Sequence, residues 1–265
     1  MHRRMALAAL AALAVLVGCR DDTVEVTFQP SVGDVYRYKV TVRSTSEVRL
    51  PGEEPETRDE EIVLQSEHTV LAAGDDGVRV QVILGDASGS VRTFVVRFDR
   101  AAQLESIESD DTVPDDEAGV LGISEIFPAA AGAPPEGALS PGERWTIDDR
   151  VVIPGAVSAA RLTGRGRLAA LGFEDGEEVA RLTTSSILRF RSEQEAADGE
   201  VVVLDGAQVT DQRAAHDLAD GALRSSSSTT EGRFDLEIRP PYGQRRDPVR
   251  GTLTVRVSSE TIRLD

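Results

Sequence analysis

Few residues in this sequence belong to the types that most often do chemistry. The 265-residue chain contains three histidines (His2, His68 and His216) and a single cysteine, Cys19. One cysteine allows no internal disulfide, and together with three dispersed histidines it allows no Cys/His zinc site of the usual spacing. We therefore predict no catalytic, cofactor-binding or metal-ligating residue from these types.

His216 has the neighbours that a hydrolase would need. Asp217 follows it directly, and a run of serines follows at 225–228. A Ser-His-Asp triad uses these residue types, but no Gly-x-Ser-x-Gly elbow occurs in the chain. His216 also corresponds to Phe98 in the internal repeat described below, which indicates an ordinary strand position. His68 lies in an alternating segment and is interpreted in the same way.

The densest acidic stretch is 108–117, which contains six carboxylates and is interrupted by Pro114. Oxygen ligands of this kind suit Ca²⁺, but the EF-hand spacing is missing. We interpret the stretch as a solvated acidic loop and keep calcium binding as the alternative. Nothing singles out a glycosidase-type carboxylate pair, and no Walker, Rossmann or His-Glu-x-x-His motif occurs.

The N-terminus carries the most specific signal in the chain. Two arginines precede an uninterrupted apolar run from Met5 to Val17, after which come Gly18 and Cys19. A positively charged start followed by a short apolar run is typical of a secretory signal peptide. The run is too short to span a bilayer stably, which takes about 20 residues. An uncleaved anchor helix is the alternative.

The segment Leu16-Val17-Gly18-Cys19 resembles the lipobox of bacterial lipoproteins. In that class the type II signal peptidase recognises the box and cuts before the cysteine, whose thiol receives a diacylglycerol. Several acyl chains on one cysteine give stable membrane anchoring. The resemblance implies a cleaved signal peptide over 1–18, with Leu16, Val17 and Gly18 read by the peptidase, and lipidation of Cys19.

The same resemblance implies a location and one partner. A lipidated tether over 19–23 would hold the body on the extracytoplasmic side of a membrane, the membrane being reached through acylated Cys19. Arg20 follows the cysteine where an aspartate favours inner-membrane retention in enterobacterial lipoproteins. The absence of that aspartate favours the outer membrane in a cell that has one.

Charge excludes one class of partner. Lys and Arg number 29 against 46 Asp and Glu, a formal net charge of −17 that becomes −19 when Arg3 and Arg4 leave with the signal peptide. Such a surface repels phosphate backbones, so we predict no nucleic-acid binding. Aromatic residues make up 4% of the chain, which leaves little for stacking on sugars or bases.

The body of the chain alternates with the period of a β-strand. From Val35 to Arg43 every second residue is apolar or aromatic, and the pattern returns at 78–84, 180–190 and 253–257. One buried and one wet face favour antiparallel sheets over βαβ units. Asp-Gly turns separate the runs. We predict a mainly β, antiparallel fold of about ten to twelve strands, with one short helix over 117–127.

Three landmarks recur in the same order in both halves of the chain. Residues 33–36 correspond to 142–145, residues 71–77 to 168–176, and residues 98–99 to 216–217. We predict two duplicated β units, 24–127 and 142–265, joined by an Ala/Pro/Gly-rich linker over 128–141 and forming a curved sheet, half-barrel or barrel. The alternative is an unduplicated β protein in which Asp-Gly turns merely recur.

The arrangement is also similar to a group of uncharacterised, β-rich bacterial envelope proteins. They share a Pro-Gly-Asp/Glu-x-Trp/Tyr strand opening and a Phe-Asp-x-x-x-Gly-x-Leu hairpin, matched here at 140–145 and 217–223. The first half departs from the hairpin pattern, with Ala-Gln at 102–103. The resemblance implies a fold and no catalytic residues.

These observations favour a non-enzymatic, lipid-anchored envelope protein that acts as an interaction or structural module through an unknown protein partner. One alternative is a carrier, in which a curved sheet encloses an apolar cavity for a lipid or another hydrophobic ligand. A second alternative is an enzyme with an unrecognised site. No cofactor is expected.

Overall fold

In the described part of the chain, all regular secondary structure is β-strand. The computed structural model describes residues 23–74, 77–86, 89, 91–99, 104–110, 134–135, 137–151, 160–196, 199–244 and 246–264. Within these ranges, 11 antiparallel strands form one sheet, and no helix occurs, so none is present that is long and apolar enough to cross a membrane. The predicted fold class and strand number are confirmed. The helix predicted over 117–127 lies outside the described residues.

The strands are numbered in chain order. They are β1 (Val35–Arg49), β2 (Glu56–Gly74), β3 (Gly77–Asp86), β4 (Val91–Phe98), β5 (Leu104–Asp110), β6 (Arg144–Val151), β7 (Ala160–Glu174), β8 (Glu177–Glu195), β9 (Val201–Asp217), β10 (Leu223–Arg239) and β11 (Val249–Leu264).

The sheet is a meander in which one long-range pair joins two runs of neighbours. Its order is β5-β4-β3-β2-β1-β11-β10-β9-β8-β7-β6. The long-range pair is β1 with β11, in register from Arg37 opposite Leu264 to Arg49 opposite Thr252. Strands β5 and β6 are the two edges, so the sheet is not closed within the described residues. The two predicted units therefore contribute to one continuous sheet.

Alternation along the strands separates an inner from an outer face. In β1, Tyr36, Tyr38, Val40 and Val42 are buried, while the residues between them are exposed or half-buried. This is the division that the sequence pattern predicts. The inner face of β3 is equally apolar, with Val78, Val80, Val82 and Leu84 all buried.

Two apolar clusters form on the inner face. The first cluster is centred on β1 to β4, and the second on β6 to β8. Phe28 belongs to the first and Val26 to the second, although these two residues are only about 7 Å apart along an extended chain. Strands β1 and β8 are four positions apart in the sheet, about 19 Å if it were flat. One short segment reaches both clusters because the sheet curves around it.

The segment 23–29 is held against the inner face by backbone contacts. Val24 forms an isolated bridge with Leu139, and the Gln29 amide donates to the Asp220 carbonyl at 2.7 Å. Gly221, which has a positive φ of 73°, packs so closely here that a Cβ would lie 2.1 Å from the Thr27 carbonyl oxygen. Only glycine fits at that contact.

A specific turn precedes β1. The Asp34 amide donates to the Ser31 carbonyl, and the Ser31 amide donates to the Asp34 carboxylate at 2.7 Å. Gly33 has a φ of 94°, which suits the third position of a type II turn. The Gly33 amide then donates to the Val70 carbonyl, and the Val70 amide to the Asp34 carbonyl. A bulge in β2 follows Val70.

The turn before β6 repeats each of these contacts. The Glu143 amide donates to the Ser140 carbonyl, and the Ser140 amide donates to the Glu143 carboxylate at 2.8 Å. Gly142 has a φ of 91°, and it and Glu143 exchange hydrogen bonds with Leu168, after which β7 bulges. Leu168 is thus the structural counterpart of Val70, one residue from the alignment by sequence, which placed it opposite Leu71.

Candidate ligand-binding site on the inner face

Several residues singled out in the sequence lie outside the described part of the chain. These are Leu16, Val17, Gly18 and Cys19 of the lipobox and most of the acidic stretch 108–117; Glu108 and Asp110 are described as strand backbone only. Among the described residues, no three His, Cys, Asp or Glu side chains lie together as a metal site.

His216 and Asp217 do not form a triad with the serines of β10. The His216 Nδ1 donates to the Gly221 carbonyl at 3.1 Å within the β9–β10 turn. The Ser225 hydroxyl donates to Glu174, and the Ser228 hydroxyl pairs with Ser259. Burial lowers the pKa of His216, partly opposed by the bond to the carbonyl. These contacts fix the turn and bring no nucleophile to the imidazole.

Asp217 instead joins two arginines in a buried ion pair. Its carboxylate lies 3.3 Å from the Arg224 Nε and 3.6 Å from the Arg263 Nη1, and its side chain is only 8% exposed. The other carboxylate oxygen accepts the Ala219 amide at 2.9 Å. The network connects the ends of β9 and β11 to the start of β10.

Tyr36 closes this end of the inner face. Its hydroxyl donates to the Asp220 carboxylate at 2.8 Å and lies 3.4 Å from Asp34. The Arg263 guanidinium lies over its ring, 5.0 Å from the centroid. Burial and the hydrogen bond to Asp220 raise the pKa of Tyr36, so the phenol is neutral.

Tyr38 and His68 form a second buried aromatic contact, with ring centroids 4.9 Å apart. Burial lowers the pKa of His68 to about 3 and raises the pKa of Tyr38. Both rings are therefore uncharged at neutral pH. His68 is a strand residue of β2, as the sequence predicts.

A strip of small, uncharged polar side chains lies between the two apolar clusters. It occupies the inner positions of the four strands β8 to β11, and we call it the polar strip. Its members are Thr184, Ser186, Thr210, Gln212, Ser226, Ser228, Thr230, Ser259 and Thr261.

Part of the polar strip is satisfied by bonds within it. The hydroxyls of Ser228 and Ser259 lie 2.8 Å apart across the β10–β11 pair, and those of Thr210 and Thr230 lie 2.8 Å apart across the β9–β10 pair. Each pair is also a register pair of the sheet. Cross-strand hydroxyl bonds of this kind stabilise a sheet modestly.

Another part of the strip is buried with no hydrogen bond. Among the described residues, the Ser226 Oγ and the Thr261 Oγ1 have no hydrogen-bond partner, and the Arg263 Nη1 forms no hydrogen bond beside its 3.6 Å ion pair with Asp217. Thr261 lies directly opposite Ser226 in the register, and Arg263 is the next inward residue after Thr261. The Ser66 Oγ and the Trp145 Nε1, at the borders with the two apolar clusters, are in the same state.

Apolar side chains continue the inner face beyond the strip, towards the end opposite segment 23–29. On β11 these are Leu253, Val255 and Val257, and on β8 they are Leu188 and Phe190. All five are half-buried; Val257 packs against the first cluster, Leu188 against the second, and Phe190 against the buried ring of Phe234. The inner face thus combines unsatisfied polar atoms nearer segment 23–29 with apolar side chains at the far end, where the buried Phe234 and Leu236 lie among half-buried neighbours.

Sequence reasoning missed these residues as a site. The segment 225–230 lies within β10. Alternation then places Ser226, Ser228 and Thr230 on one face, which was the available signal. Nothing local could show that this face turns inward, because that depends on the apolar neighbours supplied by β1 and β8.

Comparison with known proteins adds no family. No family model matches the chain, and no curated protein matches it. Among solved structures, the chain is similar to OmpTdeltaL8, a loop L8 deletion mutant of OmpT, an outer membrane protein of Vibrio cholerae. The sequences are 7% identical, the match covers 88% of this chain and 100% of that chain, and the TM-score is 0.22. A likeness at that score carries no weight for function.

Proposed function

We propose that the protein is a lipid-anchored, extracytoplasmic, non-enzymatic envelope protein that binds a hydrophobic ligand on the inner face of its curved sheet. The single observation that carries the binding function is the set of buried, unpartnered polar atoms beside half-buried apolar side chains. Leaving a buried polar group without a partner costs about 1–3 kcal/mol. A bound molecule that supplies the missing hydrogen bonds removes that cost.

The anchor is supported by the lipobox and by the position of the first described residues. Val24 is already bridged to Leu139 on the body. Four residues lie between it and Cys19, a span of at most about 17 Å. Acylation of Cys19 would therefore hold the body close to the membrane surface, with the segment 23–29 at the near end.

The direction of the strands then places the partly open end away from the membrane. Strand β1 begins next to segment 23–29 and ends at the β1–β2 loop, about 50 Å further on if fully extended. The end of β8 and the start of β9, and the end of β10 and the start of β11, lie at that same far end. A ligand would enter at this end and pass along the apolar side chains to the polar strip.

The matched turns before β1 and β6 support an origin of the body in two duplicated units. Both turns use a serine, a glycine with positive φ and an acidic residue, and both lead to a bulge in the second strand of the unit. In this account the two apolar clusters are the cores of the two units, and the polar strip belongs to the second unit, which meets the first at the β1–β11 pair.

A native mass spectrum of the protein, extracted from membranes in mild detergent, tests both parts of the proposal. We expect a chain that begins at Cys19 with added acyl mass, and a further noncovalent mass that disappears on denaturation. A chain that still begins at Met1 contradicts the anchor. An acylated chain that carries no noncovalent mass, and gains none from a membrane lipid extract, contradicts the ligand-binding function.

An interaction module is the second candidate, and one observation favours it. Val35, Ile262 and Leu264 are apolar, lie on the outer face of the β1–β11 pair, and are 40–45% exposed. Replacing Ile262 and Leu264 by serine should abolish crosslinking to a neighbouring envelope protein while leaving ligand binding intact. Crosslinking that survives both substitutions would remove this candidate.

A further inference from the structure

The unpartnered atoms of the polar strip also define the class of ligand head group, if the proposed ligand binding is correct. We infer that the site formed by Ser226, Thr261 and Arg263 binds the uncharged, oxygen-bearing head of a neutral amphiphile such as a monoacylglycerol. The inference rests on the number of free donors, the charge balance around them and the apolar surface beside them.

The free atoms are mainly hydrogen-bond donors. The Arg263 Nη1, which is ion-paired with Asp217 at 3.6 Å but forms no hydrogen bond, can only donate, and the hydroxyls of Ser226 and Thr261 can donate or accept. Ser226 and Thr261 are 5% and 2% exposed, so their hydroxyls face the interior of the protein. Neighbouring strands are about 4.8 Å apart, and successive inward residues about 7 Å apart. The three atoms therefore fit one small group that carries several oxygens, such as a glycerol ester.

The cations near the site already face carboxylates without a ligand. Arg263 and Arg224 face Asp217, and the Tyr36 phenol that lies under Arg263 is bonded to Asp220. Asp34 lies 3.4 Å from the same phenol, so two largely buried cations face three carboxylates. A carboxylate or phosphate head would add an unpaired negative charge to a buried region, which is strongly unfavourable. A cationic head would meet the Arg263 guanidinium. An uncharged head satisfies the donors without either cost.

The chain of the amphiphile has an apolar surface to follow. Val257 lies opposite Thr230 and Val255 lies opposite Gly232, so the half-buried side chains of β11 begin next to the strip and run towards the far end of the sheet. Leu188 and Phe190 of β8 do the same from the other side. A single acyl chain would cover side chains that are otherwise half open to water.

Competition between three probes of equal chain length tests the inference. The acylated protein, reconstituted in phosphatidylcholine nanodiscs at pH 8, is offered monopalmitoylglycerol, palmitate and hexadecane in equal amounts, and retained ligand is read by native mass spectrometry. We expect at least about tenfold more monopalmitoylglycerol than palmitate. T261V and S226A should each weaken monopalmitoylglycerol binding by about fivefold and leave hexadecane unchanged.

Matched controls lie on the same two strands. Thr254 on β11 and Ser227 on β10 face outward and are exposed, so T254V and S227A should change nothing. Retention of palmitate equal to that of monopalmitoylglycerol overturns the inference, as does unchanged selectivity in both T261V and S226A, while the proposed ligand binding stands. Retention of none of the three probes overturns the proposed function itself.

Discussion

The two apolar clusters and the polar strip lie on the same face of one sheet but differ in how their atoms are satisfied. Val40 and Val82 in the first cluster, and Leu168 in the second, are fully buried among apolar neighbours. In the strip, Ser226 and Thr261 are as deeply buried, yet their hydroxyls have no partner among the described residues. The clusters therefore stabilise the fold, whereas the unpartnered hydroxyls of the strip lower its stability.

The difference distinguishes two regions of one sheet by the polarity of their inward-facing side chains. Strands β1 to β4 and β6 to β8 supply the large apolar side chains of the two clusters. The small polar side chains of the strip lie between the clusters, on β8 to β11. A strip of valines in the same place would give a more stable protein with no hydrogen-bonding site. The predictions below separate the two kinds of region by the size and the sign of their effects on stability.

The largest loss of stability is expected at the ion pair that borders both regions. D217N removes the negative charge that faces both Arg224 and Arg263 in a largely buried network, which should lower the free energy of unfolding by about 3–5 kcal/mol. Urea unfolding of the full chain in mild detergent, followed by the fluorescence of the single tryptophan, Trp145, measures it. D148N, which breaks an exposed pair with Arg161, is the control and should have little effect. Equal effects of the two variants would contradict the buried network.

The next largest effects are expected in the clusters, at the two matched bulge positions. L168A should cost about 2–5 kcal/mol, and V70A about 1–3 kcal/mol because fewer methyl groups are removed. Both can be measured by the same unfolding assay. V209A, at a position 42% exposed, should stay within about 0.5 kcal/mol of the parent. A cost at only one bulge position would show that the two units do not share equivalent cores.

Acid should destabilise the protein through its buried histidines. His68 stays neutral in the folded state because burial lowers its pKa to about 3, whereas an unfolded histidine has a pKa near 6.5. Below pH 6.5 the unfolded state thus binds more protons than the folded state, and the free energy of unfolding falls as the pH is lowered. The loss should reach about 2 kcal/mol at pH 5 relative to pH 7 for His68. His216, whose pKa is also lowered, adds a loss of the same sign.

The variant H68F isolates the share of one histidine. It keeps a buried ring beside Tyr38 and removes the titrating group. The free energy of unfolding should therefore change less between pH 7 and pH 5, and the remaining change should come from His216. This range lies above the ordinary pKa of carboxylates. An unchanged slope would mean that His68 does not contribute to the acid sensitivity.

The sequence predicts the strands well because the evidence for them is local. Alternation at Val35–Arg43 and the Asp-Gly turns specify strands and hairpins without reference to the rest of the chain. The pairing of β1 with β11 could not be predicted in this way, since it joins residues such as Val40 and Thr261 that lie more than two hundred positions apart. Curvature likewise depends on Val26 and Phe28 reaching two separate clusters.

The candidate site was less predictable than the fold. Ser226 and Thr261 are ordinary strand residues by type, and their burial without a partner results from pairs formed across four strands. Arg263 lies two residues from the C-terminal end of the sequence, where no motif draws attention to it. The buried histidines, in contrast, were correctly interpreted as strand residues, because alternation alone places them.

The free energy of unfolding of T261V without ligand tests the difference between the apolar clusters and the polar strip most directly. The substitution keeps the shape of the side chain and removes a buried hydroxyl that has no partner among the described residues. We predict that the free energy of unfolding rises by about 1 kcal/mol, with the exposed T254V as the control. A decrease instead would show that the Thr261 hydroxyl is satisfied within the folded protein, and would contradict the claim that the strip is kept polar for a ligand.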